Sequence, residues 1–74
     1  MKKVCEMLRE YRENKGITQS FIAQKLGKSV SRISAIERGG IKLTADEFVE
    51  ICILGYEVNP AIFFKNINVH STDN

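Results

Sequence analysis

The 74-residue sequence contains few of the residues that build metal centres and disulfide frameworks, and little glycine or proline. Its two cysteines, Cys5 and Cys52, form no CxxC pair, and its one histidine, His70, lies near the polar end. A metal site is therefore not expected. Each cysteine falls within an apolar helical pattern, so we expect both to be reduced and to pack as small hydrophobic residues. The one proline and the five glycines lie at the ends of predicted elements, which favours an all-α fold.

Long apolar runs are also missing. No run approaches the roughly 18 residues of a membrane-spanning helix, so no membrane association is expected. The segment 1–6 has two lysines but no hydrophobic signal region, and a cytoplasmic location is expected. The sequence contains no Ser/His/acid or Cys/His constellation, so we expect a binding protein without a cofactor rather than an enzyme.

Acidic residues are scarce in the first half of the chain. Residues 1–42 hold ten lysines and arginines against four acids, whereas residues 43–74 hold one lysine against five acids. This asymmetry fits a protein that turns one half towards a polyanion. It equally fits a small domain with two solvated faces, so charge alone leaves both interpretations open.

Apolar residues recur at three- and four-residue intervals, which predicts helices rather than strands. Thr18, Ser29 and Thr44 are suitable N-caps, and Gly16, Gly27 and Gly39 are suitable helix stops. Asn59 followed by proline predicts a further short helix. The predicted helices are 3–15, an eight-residue helix ending before Gly27, 30–38, 45 to about 54, and 60–65.

These elements predict a compact five-helix bundle. The second and third helices, joined by a short turn that contains Gly27, have the spacing of a helix-turn-helix unit at about 18–38. We expect one domain, 1–65, followed by a polar tail, 66–74.

The run GITQSFIAQKLGKSVSRISAIERG, residues 16–39, carries more specific information. It resembles the Cro/repressor-type helix-turn-helix family of bacterial and phage regulators, and the resemblance extends over about residues 5–64. Ala23 suits the point where the two motif helices cross, and Gly27 permits the positive φ of the turn. The other residues at the family's spacing are Gln19, Ser29, Ile33, Ile36, Glu37 and Gly39.

The resemblance implies that helix 30–38 is a recognition helix that enters the major groove of double-stranded DNA. Val30, Ser31 and Ser34 would then face base edges, with Ala35 as a further candidate. None of them is a long bidentate reader, so we expect modest direct readout and a larger share of specificity from DNA shape.

Phosphate contacts are implied for a second set of residues. The resemblance assigns them to Gln19 and Ser29, and charge and location add Arg32, Arg38 and Lys42. By the same resemblance, Arg12 and Glu37 form a partly buried ion pair that ties the first helix to the recognition helix.

The sequence departs from the family pattern at three places. Phe21 occupies an outward position that is usually polar, where it could meet the groove wall or a protein partner. Lys28 replaces a usually apolar residue in the turn. The run ICILGYEVNP, residues 51–60, does not fix the end of the fourth helix.

The function that these patterns favour is a sequence-specific DNA-binding regulator, most simply a repressor that acts by occlusion. The family's dimers require an apolar surface, and five residues are candidates for it, with ordinary core positions as the alternative: Ile53, Val58, Ile62, Phe63 and Phe64. A second hypothesis is a protein-binding module on the same fold, such as an antirepressor or an antitoxin. Phe21, the weak base-reading set and the small net charge of +2 favour it.

Overall fold

The computed structural model describes residues 3–64, which fold as four α-helices followed by two shorter helical segments. The α-helices are α1 (Val4–Asn14), α2 (Gln19–Leu26), α3 (Val30–Arg38) and α4 (Ala45–Glu50). A π-helix (Ile51–Tyr56) continues α4, and a 3₁₀-helix (Pro60–Phe64) ends the described part of the chain. The predicted tail 66–74, with His70, lies outside the described residues.

Helix ends follow the local sequence. The hydroxyl oxygens of Thr18, Ser29 and Thr44 each accept the backbone N–H three residues ahead, which confirms the three predicted N-caps. α2 and α3 both end on glycines with positive φ, 67° at Gly27 and 75° at Gly39. That left-handed conformation costs glycine little, so it allows the sharp turn between α2 and α3.

The all-α prediction is confirmed, but the predicted count of five helices is wrong. The fourth predicted helix is α-helical only to Glu50 and then widens into the π-helix. The fifth is a tight 3₁₀-helix of five residues, in which the N–H of Ile62 donates to the carbonyl of Asn59 at 3.1 Å. The predicted cap is present there, since Asn59 Oδ1 accepts the N–H of Ala61.

Gly55, within the π-helix, packs closely against α2. A Cβ atom at Gly55 would lie 3.1 Å from Cδ1 of Ile22, so a larger residue there would require the Ile22 side chain to shift. The wider turn also buries the pairs 51–52 and 55–56 on one side. Tyr56 then reaches the first helix, where its hydroxyl donates to the carbonyl of Leu8 at 2.9 Å.

One hydrophobic core joins all the α-helices and the π-helix. Burial raises the pKa of the Cys52 thiol to about 11, so this cysteine stays a protonated, packed thiol at neutral pH. An aromatic group at the base of the core joins Tyr11, Tyr56, Phe48 and Phe63. The buried apolar residues are Leu8, Ile22, Ala23, Ile33, Ile36, Ile51, Cys52 and Tyr56.

Candidate nucleic-acid interface

The first turn of α3 presents an exposed surface that no other element of the described chain covers. Val30 is 43% exposed, and Ser31 is also exposed. Ile33 and Ile36 point into the core on the opposite side of the helix. Ser34 and Ala35 are half-buried. Of the four predicted base-reading residues, two are therefore exposed and two are half-buried.

An open cleft runs beside this surface. It brings the predicted residues Gln19, Val30, Ser34 and Arg38 to one place. The α2 N-terminus opens into the same cleft, and backbone N–H groups at a helix start favour anions. The complete lining is Arg9, Arg12, Glu13, Ile17, Thr18, Gln19, Ser20, Val30, Ser34, Glu37 and Arg38.

Two of the lining residues, Arg9 and Ser20, did not emerge from the sequence as candidates. Arg9 lies on α1 and pairs with Glu13 at 3.2 Å, and both side chains are more than half exposed. Exposed pairs of this kind contribute at most about 1 kcal/mol, so Arg9 can exchange its partner for a phosphate. Residue periodicity places Arg9 on a helix, but only the packing of α1 against α3 places it beside Val30.

Glu37 is buried at the floor of the cleft and is held from two helices. Arg12 donates to it twice, from Nε to Oε2 at 2.7 Å and from Nη2 to Oε1 at 3.0 Å. Arg12 also donates from Nη1 to the carbonyl oxygen of Ile17 at 2.8 Å. The hydrogen bonds to Glu37 raise the pKa of Arg12, which stays charged at any working pH. The expected ion pair between α1 and α3 is present.

Gln19 takes part in the same network. Its Nε2 donates to Glu37 Oε1 at 3.0 Å, so one of its two amide N–H groups is engaged inside the protein. The contact fixes the first turn of α2 against α3. Gln19 remains a candidate for phosphate binding through its second amide N–H and the backbone N–H groups of that turn.

Arg32 is also engaged. Its Nε and Nη2 both donate to Glu47 Oε2, at 2.8 and 2.6 Å. Lys28, in the turn, lies 3.8 Å from the same carboxylate. The hydrogen bond from Arg32 is the main cause that lowers the pKa of Glu47. The sequence identified Glu47 only as an acid suited to the start of α4, because its contact with α3 depends on tertiary packing.

The remaining predicted phosphate-binding residues, Ser29, Arg38 and Lys42, differ in position and in hydrogen bonding. Ser29 caps α3 through its hydroxyl oxygen, at 3.1 Å from the N–H of Arg32. Arg38 and Lys42 are exposed and form no ion pair within residues 3–64. Arg38 lines the cleft, whereas Lys42 lies in the loop before α4.

Two exposed apolar places lie outside the cleft. Phe21 is 43% exposed, with Nζ of Lys25 5.4 Å from its ring centre, and it lines a small apolar groove with Gly16, Ile17 and Thr18. This outward position was predicted.

The second place is the end of the domain that was predicted to hold the dimer surface. Of the five candidates, Ile53 and Phe64 are exposed, whereas Val58 and Phe63 pack against the core and Ile62 is half-buried. Val49 and Leu54 are further exposed apolar residues on this part of the chain.

Within residues 3–64, no three of the histidine, cysteine, aspartate and glutamate side chains come together as metal ligands. None of the helices in this range has the length and hydropathy needed to cross a bilayer.

Comparison with known proteins identifies one family. A family model described as helix-turn-helix matches residues 8–54, which include α2, α3, α4 and most of α1. No curated protein has significant similarity to the chain.

Proposed function

The chain belongs to the Cro/repressor-type helix-turn-helix family of DNA-binding regulators, and we propose that it is a small transcriptional repressor that binds operator DNA. The observation that carries this proposal is that one cleft brings together the exposed side of α3, the cations Arg9 of α1 and Arg38 of α3, and the start of α2. Val30 and Ser34 line this cleft together with Arg9, Arg38 and Gln19. Base-edge contacts and phosphate contacts could therefore form together.

In the proposed complex, the first turn of α3 enters the major groove. Val30 packs against a thymine methyl group, and Ser31 exchanges hydrogen bonds with a base edge. Arg9, Arg38 and the α2 N-terminus bind phosphates on the flanking backbone. Because the side chains that face bases are short, much of the sequence preference comes from DNA shape. Bound in this way at a promoter, the protein represses by occlusion.

Two copies are proposed to bind a two-fold symmetric site. Their recognition helices would then lie about one helical turn apart, roughly 34 Å. Ile53 and Phe64, with Val58, Ile62 and Phe63 behind them, are the proposed contact surface. The exposed Val49 and Leu54 extend it.

Fluorescence anisotropy with duplexes from the promoter of the protein's own gene tests the proposal. Wild type should lose affinity steeply as salt rises, because cations that bind phosphate release counterions. Arg38→Ala should weaken binding to all duplexes and reduce the salt slope by about one. Ser31→Ala should mainly reduce discrimination at one base pair. Lys25→Ala removes an exposed charge outside the cleft and serves as the control.

Lack of binding to every duplex at low salt would exclude the regulator function. The second candidate, a protein-binding module, then becomes the better account, because Phe21 lines an apolar groove to which α3 contributes no residue. Phe21→Gln separates the two functions. It should leave DNA binding unchanged in a repressor and abolish partner capture in a protein-binding module.

A further inference from the structure

The cations at the start of α3 are directed towards α4. Arg32 donates twice to one oxygen of Glu47, and Lys28 Nζ lies 3.8 Å from Glu47 and 3.9 Å from Glu50. These two cations stand next to Val30 and Ser31, the most exposed residues of the proposed reading surface. Phosphates of bound DNA would therefore compete with the acids of α4 for the same cations.

Glu47 is the fixed member of this group. Its side chain is only 9% exposed, and its other oxygen, Oε1, accepts from the N–H and the hydroxyl of Thr44 at 3.5 and 3.4 Å. Arg32 is the exposed member, with 43% of its side chain open to solvent. If Arg32 turned to a phosphate, it would leave a nearly buried carboxylate without its main partner, which is unfavourable.

Whether Arg32 binds Glu47 or a DNA phosphate affects specificity, because the short side chains of α3 recognise bases only weakly. Free cations bind DNA of any sequence and raise non-specific affinity. Short side chains such as Val30 and Ser31 add little sequence-dependent affinity, so a rise in non-specific affinity would outweigh it. The ratio of specific to non-specific binding, rather than affinity alone, determines whether a regulator finds its site.

We propose that Glu47 is a specificity-determining residue that withholds Arg32 from DNA phosphates and so suppresses non-specific binding. The inference rests on the proposed DNA-binding function. Wild-type protein on non-operator DNA keeps the Arg32–Glu47 pair, and Arg32 contributes no phosphate contact there.

Glu47→Gln tests this inference. Glutamine at this position can still accept the N–H of Thr44 and preserve the start of α4. The variant should bind a non-operator duplex about tenfold more tightly than wild type, since a released arginine gains a charge-assisted contact with phosphate. Its salt slope should be steeper by about one. Asp46→Asn removes the same charge from the same turn without touching Arg32 and should change affinity much less.

A double variant identifies the source of the gain. In Arg32→Gln/Glu47→Gln the increase in non-specific affinity should disappear. If the increase persists without Arg32, or if Glu47→Gln equals Asp46→Asn, the inference is wrong while the DNA-binding function stands. If wild type binds no duplex at low salt, both fail.

Nuclear magnetic resonance of the wild-type protein supplies a measurement that does not depend on the folding of a variant. The Nε–Hε resonance of Arg32 should stay near its free position when non-operator DNA is added, whereas that of Arg9 should move. Movement of the Arg32 resonance equal to that of Arg9 would contradict the inference.

Discussion

Two carboxylates, Glu37 and Glu47, organise the charged side chains around α3. Glu37 accepts from Arg12 of α1 and from Gln19 of α2, and Glu47 of α4 accepts from Arg32. Both side chains are nearly buried, so each gains from having its hydrogen bonds complete. The first carboxylate locks the scaffold, whereas the second controls a cation of the reading surface.

The contact of Arg12 with Glu37 should be among the most costly to break. Arg12→Met would strand a buried carboxylate, and the free energy of unfolding should fall by about 3–5 kcal/mol. Urea denaturation followed by circular dichroism measures it. The control is Arg9→Met, which breaks an exposed pair and should cost less than about 1 kcal/mol. Equal costs for the two variants would show that the buried pair contributes no more than an exposed one.

The lowered pKa of Glu47 predicts a pH dependence of stability. A carboxylate with a folded-state pKa below its unfolded value stabilises the fold above that unfolded value, about 4.3, and loses the effect as the pH falls through the folded-state pKa. Wild type should therefore lose more stability than Glu47→Gln when the pH is lowered from 7 to about 3. Urea denaturation at both values tests the difference, and parallel losses would contradict it.

The sequence predicted one of these carboxylate contacts and missed the other for a physical reason. Arg12 and Glu37 stand at positions that the family resemblance pairs. Glu47 and Arg32 meet only because the first turn of α4 packs beside the first turn of α3, and no local pattern encodes that approach. For the same reason Arg9 and Ser20 were missed at the cleft.

At the scale of the elements, local signals were sufficient for α1 to α3. The N-caps Thr18 and Ser29 and the glycines that follow each of the three helices mark their bounds, and the predicted 30–38 is the α3 of the structure. The π-helix was not predictable in this way. Its residues have an ordinary apolar pattern, and no local signal in them distinguishes a π-helix from an α-helix.

Gly55→Ala should destabilise the protein although alanine favours helices. The added methyl group would lie 3.1 Å from Cδ1 of the fully buried Ile22, and overpacking of a core typically costs about 1–3 kcal/mol. The propensity gain of up to about 1 kcal/mol offsets only part of this cost. Thermal denaturation should show a lower Tm.

Ile22→Val provides the matched test, because valine lacks the Cδ1 atom that the new methyl group would meet. In the Ile22→Val background, Gly55→Ala should be neutral or stabilising. Additive losses in the double variant would show that crowding against Ile22 is not the reason for the glycine.

At the scale of the whole molecule, the charge asymmetry is smaller than composition indicates. Arg12 and Arg9 have acidic partners within the first half of the chain. Arg32 and Lys28 are paired across the halves with acids of α4. Among residues 3–64, Arg38 at the cleft and Lys42 in the loop before α4 have no ion pair, so both are available to a polyanion.

The proposed dimer predicts that its surface can be disrupted without loss of the fold. Ile53 is 48% exposed, so Ile53→Glu should preserve the circular dichroism spectrum while converting a dimer to a monomer in sedimentation equilibrium. Phe21→Glu makes the same change at an equally exposed position on α2 and should leave the dimer intact. A wild-type protein that sediments as a monomer both free and on DNA would contradict the dimer.

The most direct test of the DNA-binding account is a titration of the ¹⁵N-labelled protein with promoter duplex at low salt, followed by amide resonances. The account predicts that the largest shifts occur at 19–20 and 30–35, with Arg9 and Arg38 among the affected residues. Shifts that centre on Phe21 and Ile17, or the absence of any shift, would contradict it.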